Sequence, residues 1–340
     1  MRGTKTGGTK VPPVGRTKVL LGSATAALAL AVGLSACGSS GSSTSSSAST
    51  STSSSATTPA TPAATSGPGV GKPAVTIGDK NFAEENILGA LYAQALAAKG
   101  FKVTLKDNVG SSEIIYKALT SGQIDMYPEY TGVLLSAVAG QTKNPTSASA
   151  AASEAKAFLA KAGATLLDTT PFYDSNVLAT LPHYASQHSL SSIGDLKPLG
   201  ASVKLGGPPE FATRDEGLVG IMREYGVKPT FVPIAIELSY KALESDQVQV
   251  QNVFSTDGQL LGGQFKLLSD PKHVFGFQNV APVVKKSVLA AEGPAFEQTL
   301  NKVSSLLTLN AIQQMNKAVS IDKQSAASVA QQFLKANGLA

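Results

Sequence analysis

Between residues 74 and 127 the spacing of apolar residues changes period four times. Ala74 to Gly78 alternates like a short strand, with Val75 and Ile77 on one face. Ile87, Leu88, Leu91, Ala95 and Leu96 recur at helical spacing, Phe101 to Lys106 alternates again, and Ile114, Ile115, Ala118 and Leu119 return to the helical period. Gln123 to Tyr127 reads as a third strand. A strand–helix–strand–helix–strand order leaves few folds open, because each helix must cross over a sheet whose strands run mainly parallel. The expected class is therefore α/β.

The breaks between these runs are marked by residue types that stop or start an element. Asn81-Phe82-Ala83-Glu84 matches a capping box, with Asn81 as cap and Glu84 three positions on. Gly100 and Gly122 close the two helices, and Ser111 or Ser112 caps the second. Pro128 is expected to stop the third strand. A polar, aromatic corner follows, Glu129-Tyr130-Thr131, and then an apolar run from Val133 to Val138. In open α/β sheets ligands sit beyond the carboxyl ends of strands, so Tyr130 is expected to line a crevice that holds a small solute.

The chain begins quite differently. Residues 1–18 carry Arg2, Lys5, Lys10, Arg16 and Lys18 without an acidic residue, and an uncharged run follows from Val19 to Leu34. A basic stretch, a short apolar run and small residues describe a secretory signal. Leu34-Ser35-Ala36-Cys37 resembles a bacterial lipobox, which implies a signal peptide over 1–36 and a lipidated Cys37, the one cysteine of the chain. A single cysteine forms no disulfide within one chain. Residues 37–73 are almost wholly Ser, Thr, Ala, Gly and Pro, too polar to repay ordering, and are expected to be a disordered tether. The protein is thus expected at the cell membrane, lipid-anchored on its extracytoplasmic face.

Charge then excludes one class of partner. The whole chain has 28 Lys+Arg against 23 Asp+Glu, and removing the five basic residues of 1–36 leaves 23 against 23. A near-neutral mature protein gives no reason to expect nucleic acid.

Further along, Asn144 to Ala162 reads as a linker and an Ala-rich helix, Asn176 to Thr180 as a strand, and Arg214 to Tyr225 as a helix ended by Gly226. Strand Thr230–Pro233, helix Ile236–Glu244 and strand Val248–Val253 restart the alternation. Glu297 to Ala336 reads as two or three amphipathic helices. The three histidines match no metal pattern, and there is no nucleophile elbow or phosphate loop. No catalytic residue, metal or cofactor is expected.

Four stretches in order resemble one family: Gly78-Asp79-Lys80-Asn81-Phe82, Ile124 to Gly132, Glu210 to Gly217, and Phe254-Ser255-Thr256-Asp257-Gly258. The chain is similar to the substrate-binding lipoproteins of ABC importers for glycine betaine, choline, carnitine and related osmoprotectants. That resemblance implies a two-lobed periplasmic-binding-protein fold of type II, with two crossing segments and a cleft between the lobes. Lobe 1 would hold 74–174 plus 283–340, and lobe 2 would hold 175–282. It also implies a monomer that delivers a small-molecule solute to a permease and an ATPase on separate chains.

By motif position the resemblance puts Lys80 and Arg214 on a ligand carboxylate. Tyr130 and Phe254 fall on aromatic cage positions, and Asp174 falls beside the cage. Two further cage positions, where the family usually has tyrosine, carry Asn176 and Gln278. Tyr173 beside Asn176, and Phe277 beside Gln278, are neighbouring rings that a local backbone shift would bring in. A quaternary ammonium donates no hydrogen bond and needs ring faces at ~0.5–2 kcal/mol each. Asn and Gln would instead suit an amino acid, a polyol or another polar solute. A ligand-sensing or interaction module on the same tether is a further alternative.

Overall fold

The computed structural model describes residues 62–340. The expected signal peptide, Cys37 and the tether up to residue 61 lie outside the described residues.

Two five-stranded sheets share one plan. The first has the order β2-β1-β3-β10-β4, built from β1 (Ala74–Lys80), β2 (Lys102–Gly110), β3 (Met126–Tyr130), β4 (Ala164–Leu166) and β10 (Val280–Lys285). The second has the order β7-β6-β8-β5-β9, from β5 (Asn176–Thr180), β6 (Lys204–Gly207), β7 (Thr230–Pro233), β8 (Val250–Phe254) and β9 (Lys266–Leu268). In each sheet the three strands read from helical crossovers are parallel. The strand that arrives from the other lobe is antiparallel: β5 against β8 and β10 against β3. The sheets are therefore mixed. A strand entering from the opposite lobe comes from the cleft side, so it runs against its neighbours.

Both faces of each sheet are covered. In lobe 1 the helix α1 (Ala83–Ala98) and the C-terminal helices bury Leu88, Leu91, Phe101, Phe296 and Leu334 on one face. Helix α2 (Ser112–Thr120) and the helix Ala148–Ala160 bury Ile115, Leu119, Leu159 and Val283 on the other. Lobe 2 is covered likewise around Leu205, Ile221 and Val250 on one face, and Leu243, Val248 and Val253 on the other.

Several expectations change in detail. Pro128 does not end its strand: β3 runs on to Tyr130, with Pro128 opposite Pro282. Thr131 N donates to Asn279 O, so alternation of the antiparallel ladder leaves both prolines at a pair that exchanges no hydrogen bonds. The Asn81 cap is not used. Phe82 occupies the cap position without a side-chain bond, and Glu84 turns inward instead. The helix expected from Arg214 begins at Leu218, while Gly226 ends it in the left-handed conformation, at φ 67°.

The boundaries also move. Residues 64–72 are laid against lobe 1: Ala64 N donates to Ala97 O and Gly69 N to Lys99 O, at 2.9 and 3.0 Å. A Cβ at Gly69 would lie 2.2 Å from the Phe101 amide nitrogen, so this stretch joins the folded body before residue 73. Residues 280–282, expected in lobe 2, are the first residues of β10 in the lobe 1 sheet. The crossings lie near 173–175 and 276–279, where Tyr173 bridges Asn279.

Candidate functional site

The lobe 1 wall is built at the carboxyl ends of β1 and β3 and the first turn of α1. Lys80 ends β1, with its side chain only 4% exposed. Its Nζ lies 2.6 Å from Glu129 Oε1, 3.5 Å from Glu85 Oε1 and 3.3 Å from Ser112 Oγ. Burial alone would lower its pKa, but Glu129 and Glu85 outweigh burial and hold the ammonium above its ordinary value. Burial pushes Glu85 up to about 8, against the lowering effect of Lys80. Lys80 is thus already paired inside lobe 1, which is not the free carboxylate grip that its motif position implies.

The Lys80 ammonium also rests on an aromatic face, with Nζ 4.2 Å from the centroid of the Tyr130 ring. Tyr130 is buried, and its hydroxyl donates to Glu84 Oε1 at 2.8 Å. The Phe82 ring stacks beside it, with centroids 6.1 Å apart and planes at 29°. Unlike Tyr130, Phe82 is exposed. It is an aromatic face that sequence reasoning missed, although it stood within a quoted motif.

Behind Tyr130 lies a group of buried acids. Glu84 Oε2 accepts from Asn316 Nδ2 at 2.7 Å, and the same nitrogen donates to Thr256 O of lobe 2 at 2.9 Å. Burial raises the Glu84 pKa more than the bonds from Thr256, Asn316 and Tyr130 lower it. Asp174, on the first crossing, is raised well above its ordinary value by burial and by the charges of Glu84 and Asp257. Its Oδ1 is buried without a hydrogen-bond partner. Asp257 accepts from the Tyr240 hydroxyl and the Phe254 amide at 2.7 and 3.0 Å. Sequence reasoning gave Glu84 only a capping role and Asp257 only a place within a motif. The missed signal was a pair of adjacent carboxylates, Glu84 and Glu85, opening a helix whose other positions are nearly all apolar or small.

The lobe 2 wall comes from the ends of β5 and β8, where Asn176 pairs with Phe254 in register. The Phe254 ring is half-buried. Asn176 and Gln278 do not present free amides. Asn176 Nδ2 donates to Glu216 O at 3.2 Å, and its Oδ1 accepts from Asn252 at 3.0 Å. Gln278 Oε1 accepts from Val133 N at 2.9 Å, and its Nε2 donates to Glu216 Oε2 at 3.1 Å. Tyr173 points outward, 54% exposed, and does not replace the ring missing at Asn176.

Arg214 lies in the loop before the helix Leu218–Tyr225, half-buried. Among the described residues its side chain takes part in no hydrogen bond or ion pair. Burial raises the Glu216 pKa in lobe 2 and the Arg214 charge opposes that rise, while at the start of α2 the bond from Ser111, helped by Arg214, lowers Glu113, so the Arg214 charge acts across the gap between the lobes. The structure therefore brings together Tyr130, Phe82, Glu84, Asp174 and the Phe254–Asp257 turn. It leaves Arg214 as the cation open to an anion, and turns Lys80, Asn176 and Gln278 to internal contacts.

Two mixed α/β lobes joined by two crossings, with rings and buried acids where the crossings meet, define the two-lobed solute-binding class, for which hinge closure is the general behaviour. Over residues 73–336 the chain matches the family model described as the substrate binding domain of ABC-type glycine betaine transport system, and it belongs to that family. It is 32% identical over 275 residues to the glycine-betaine-binding protein of Pseudomonas aeruginosa, across 77% of this chain and 88% of that one. It is 28% identical over 289 residues to the glycine betaine-binding protein YehZ of Escherichia coli, across 81% of this chain and 94% of that one. A crystal structure described as a glycine betaine/carnitine/choline ABC transporter superposes with a TM-score of 0.69 at 25% identity, over 78% of this chain and 99% of that one. The chain is a substrate-binding protein of an ABC importer and not an enzyme. Its work is to hold a small solute and deliver it to a permease.

Proposed function

We propose that this chain is an extracytoplasmic lipoprotein, anchored through Cys37, that captures a zwitterionic or quaternary-ammonium osmoprotectant of the glycine betaine or choline type. It acts as a monomer, and the permease and ATPase are separate chains. The observation that carries the ligand class is the Tyr130 ring backed by Glu84, with Asp174 close enough to perturb it. A ring face attracts a cation at ~0.5–2 kcal/mol, and the Glu84 oxygen that accepts from the Tyr130 hydroxyl makes that ring richer in electrons. Arg214 is the donor suited to a ligand carboxylate. The relatives named for glycine betaine support the same class.

The rival reading, a polar solute such as an amino acid or polyol, needs Asn176 and Gln278 as ligand donors. Both amides are engaged within the protein, which favours the quaternary-ammonium class. A thermal-shift screen of the protein against glycine betaine, choline, carnitine, proline and polyols tests this. Ligand at about 100 times its Kd adds about 2.7 kcal/mol to stability. Shifts with the quaternary amines are expected; shifts with polyols or proline alone would overturn the ligand class. Arg214→Ala is expected to weaken glycine betaine far more than choline, which has no carboxylate, and equal loss for both would remove Arg214 from the site.

A further inference from the structure

Glu216 stands where three parts of the molecule meet. It belongs to lobe 2, between β6 and the helix Leu218–Tyr225, and is 4% exposed. Its Oε1 accepts from Ser136 Oγ of lobe 1 at 2.6 Å. Its Oε2 accepts from Gln278 Nε2 of the second crossing at 3.1 Å, and its main-chain oxygen accepts from Asn176, the first residue of β5 in lobe 2, at 3.2 Å. Gln278 in turn accepts from Val133 N, three residues before Ser136. One carboxylate of lobe 2 is thus bonded to lobe 1 directly and to the second crossing, while its own backbone is held by β5 of lobe 2.

The surroundings are shaped for these contacts. Ser136 lies within a single π-helical turn, Leu134–Val138, where Ala139 N donates to Leu134 O at 2.9 Å. Such turns are uncommon and change which residues share a helix face. Gly132 leaves room for the Gln278 side chain: a Cβ there would lie 2.4 Å from Nε2 and 2.7 Å from Oε1. Both oxygens of a buried carboxylate are therefore satisfied, and loss of either donor leaves one without its partner.

We propose that Glu216 is the positioning residue that latches the two lobes to each other in the arrangement of this structure, through Ser136 on lobe 1 and Gln278 on the crossing. Gln278 then serves the link between the lobes and Asn176 holds the Glu216 backbone, and neither is left to the ligand. This inference stands on contacts within the protein and not on the ligand class proposed above.

Hydrogen–deuterium exchange on the full-length chain, without added ligand, tests it. Three variants are compared with the wild type: Ser136→Ala, Glu216→Ala and the double variant. Expected is exchange roughly ten-fold faster, as for loss of one charge-assisted hydrogen bond, in residues 131–139 and 214–218 alike. Either single variant should produce it, the double should add little, and residues 230–233 should keep the wild-type rate. Two results would overturn the latch. One is that Ser136→Ala speeds exchange only in 131–139 while 214–218 keeps its rate. The other is that the two single effects simply add. Faster exchange everywhere, including 230–233, would also count against it, since that marks a general loss of stability.

Discussion

Replacing Lys80 with methionine separates a structural role for this residue from a ligand-gripping one. Methionine keeps an unbranched chain of similar length but removes the ammonium. In the wild type Nζ sits 2.6 Å from Glu129 and 3.5 Å from Glu85, and both carboxylate side chains are wholly buried. Removing one partner of a buried ion pair costs about 3–5 kcal/mol, because the remaining charge is left uncompensated. For a body of this size that is a fall in Tm of roughly 6–20 °C. The loss should shrink on acidification. Lys80 now lowers the Glu85 pKa, so without it Glu85 stays protonated over a wider range and its burial costs less. Lys80→Met with Glu129→Gln should lose less than the sum of the single variants, by ~1–3 kcal/mol for groups in contact. Thermal unfolding of the three variants at pH 9 and 6, on either side of the Glu85 pKa of about 8, without ligand, measures all of this. A loss below about 1 kcal/mol with no pH dependence, well short of the buried-pair cost, would refute the reasoning. If glycine betaine affinity also collapsed, Lys80 would return to the ligand.

Two other outcomes follow from the described contacts. Burial raises Asp79 to about 7 and Glu85 to about 8, so the native state holds protons that the unfolded chain releases near pH 4. Stability from these groups is present below their unfolded pKa values and is lost as pH rises through 7 to 8. The free energy of unfolding read from urea titrations should therefore fall between pH 5.5 and 8.5, by roughly 2–5 kcal/mol; a value that climbs over this range contradicts the assignment. Gly69→Ala would force a Cβ to within 2.2 Å of the Phe101 amide nitrogen, and should lift residues 64–72 off lobe 1. Proteolysis within that stretch should quicken while unfolding of the rest changes little, and an unchanged cleavage rate would show that the stretch is not held there.

The alternation of strand and helical periods was enough to establish the α/β class, and residues such as Gly226 marked where a helix stops, because each is a local property of spacing or of residue type. The motifs carried the family, and with it the two lobes. Other features depended on contacts between segments far apart in the chain. Pro128 signals a strand end locally, yet β3 continues because Pro282 faces it in a ladder formed about 150 residues later. Glu84 reads as half of a capping box, yet Tyr130 and Asn316 draw its carboxylate inward. Lys80, Asn176 and Gln278 carry groups suited to a ligand. Whether such a group faces a solute or another part of the protein depends on which carboxylate or amide the fold brings within about 3 Å. That distance is a tertiary quantity, since Glu129 lies 49 residues from Lys80 and Glu216 lies 62 from Gln278.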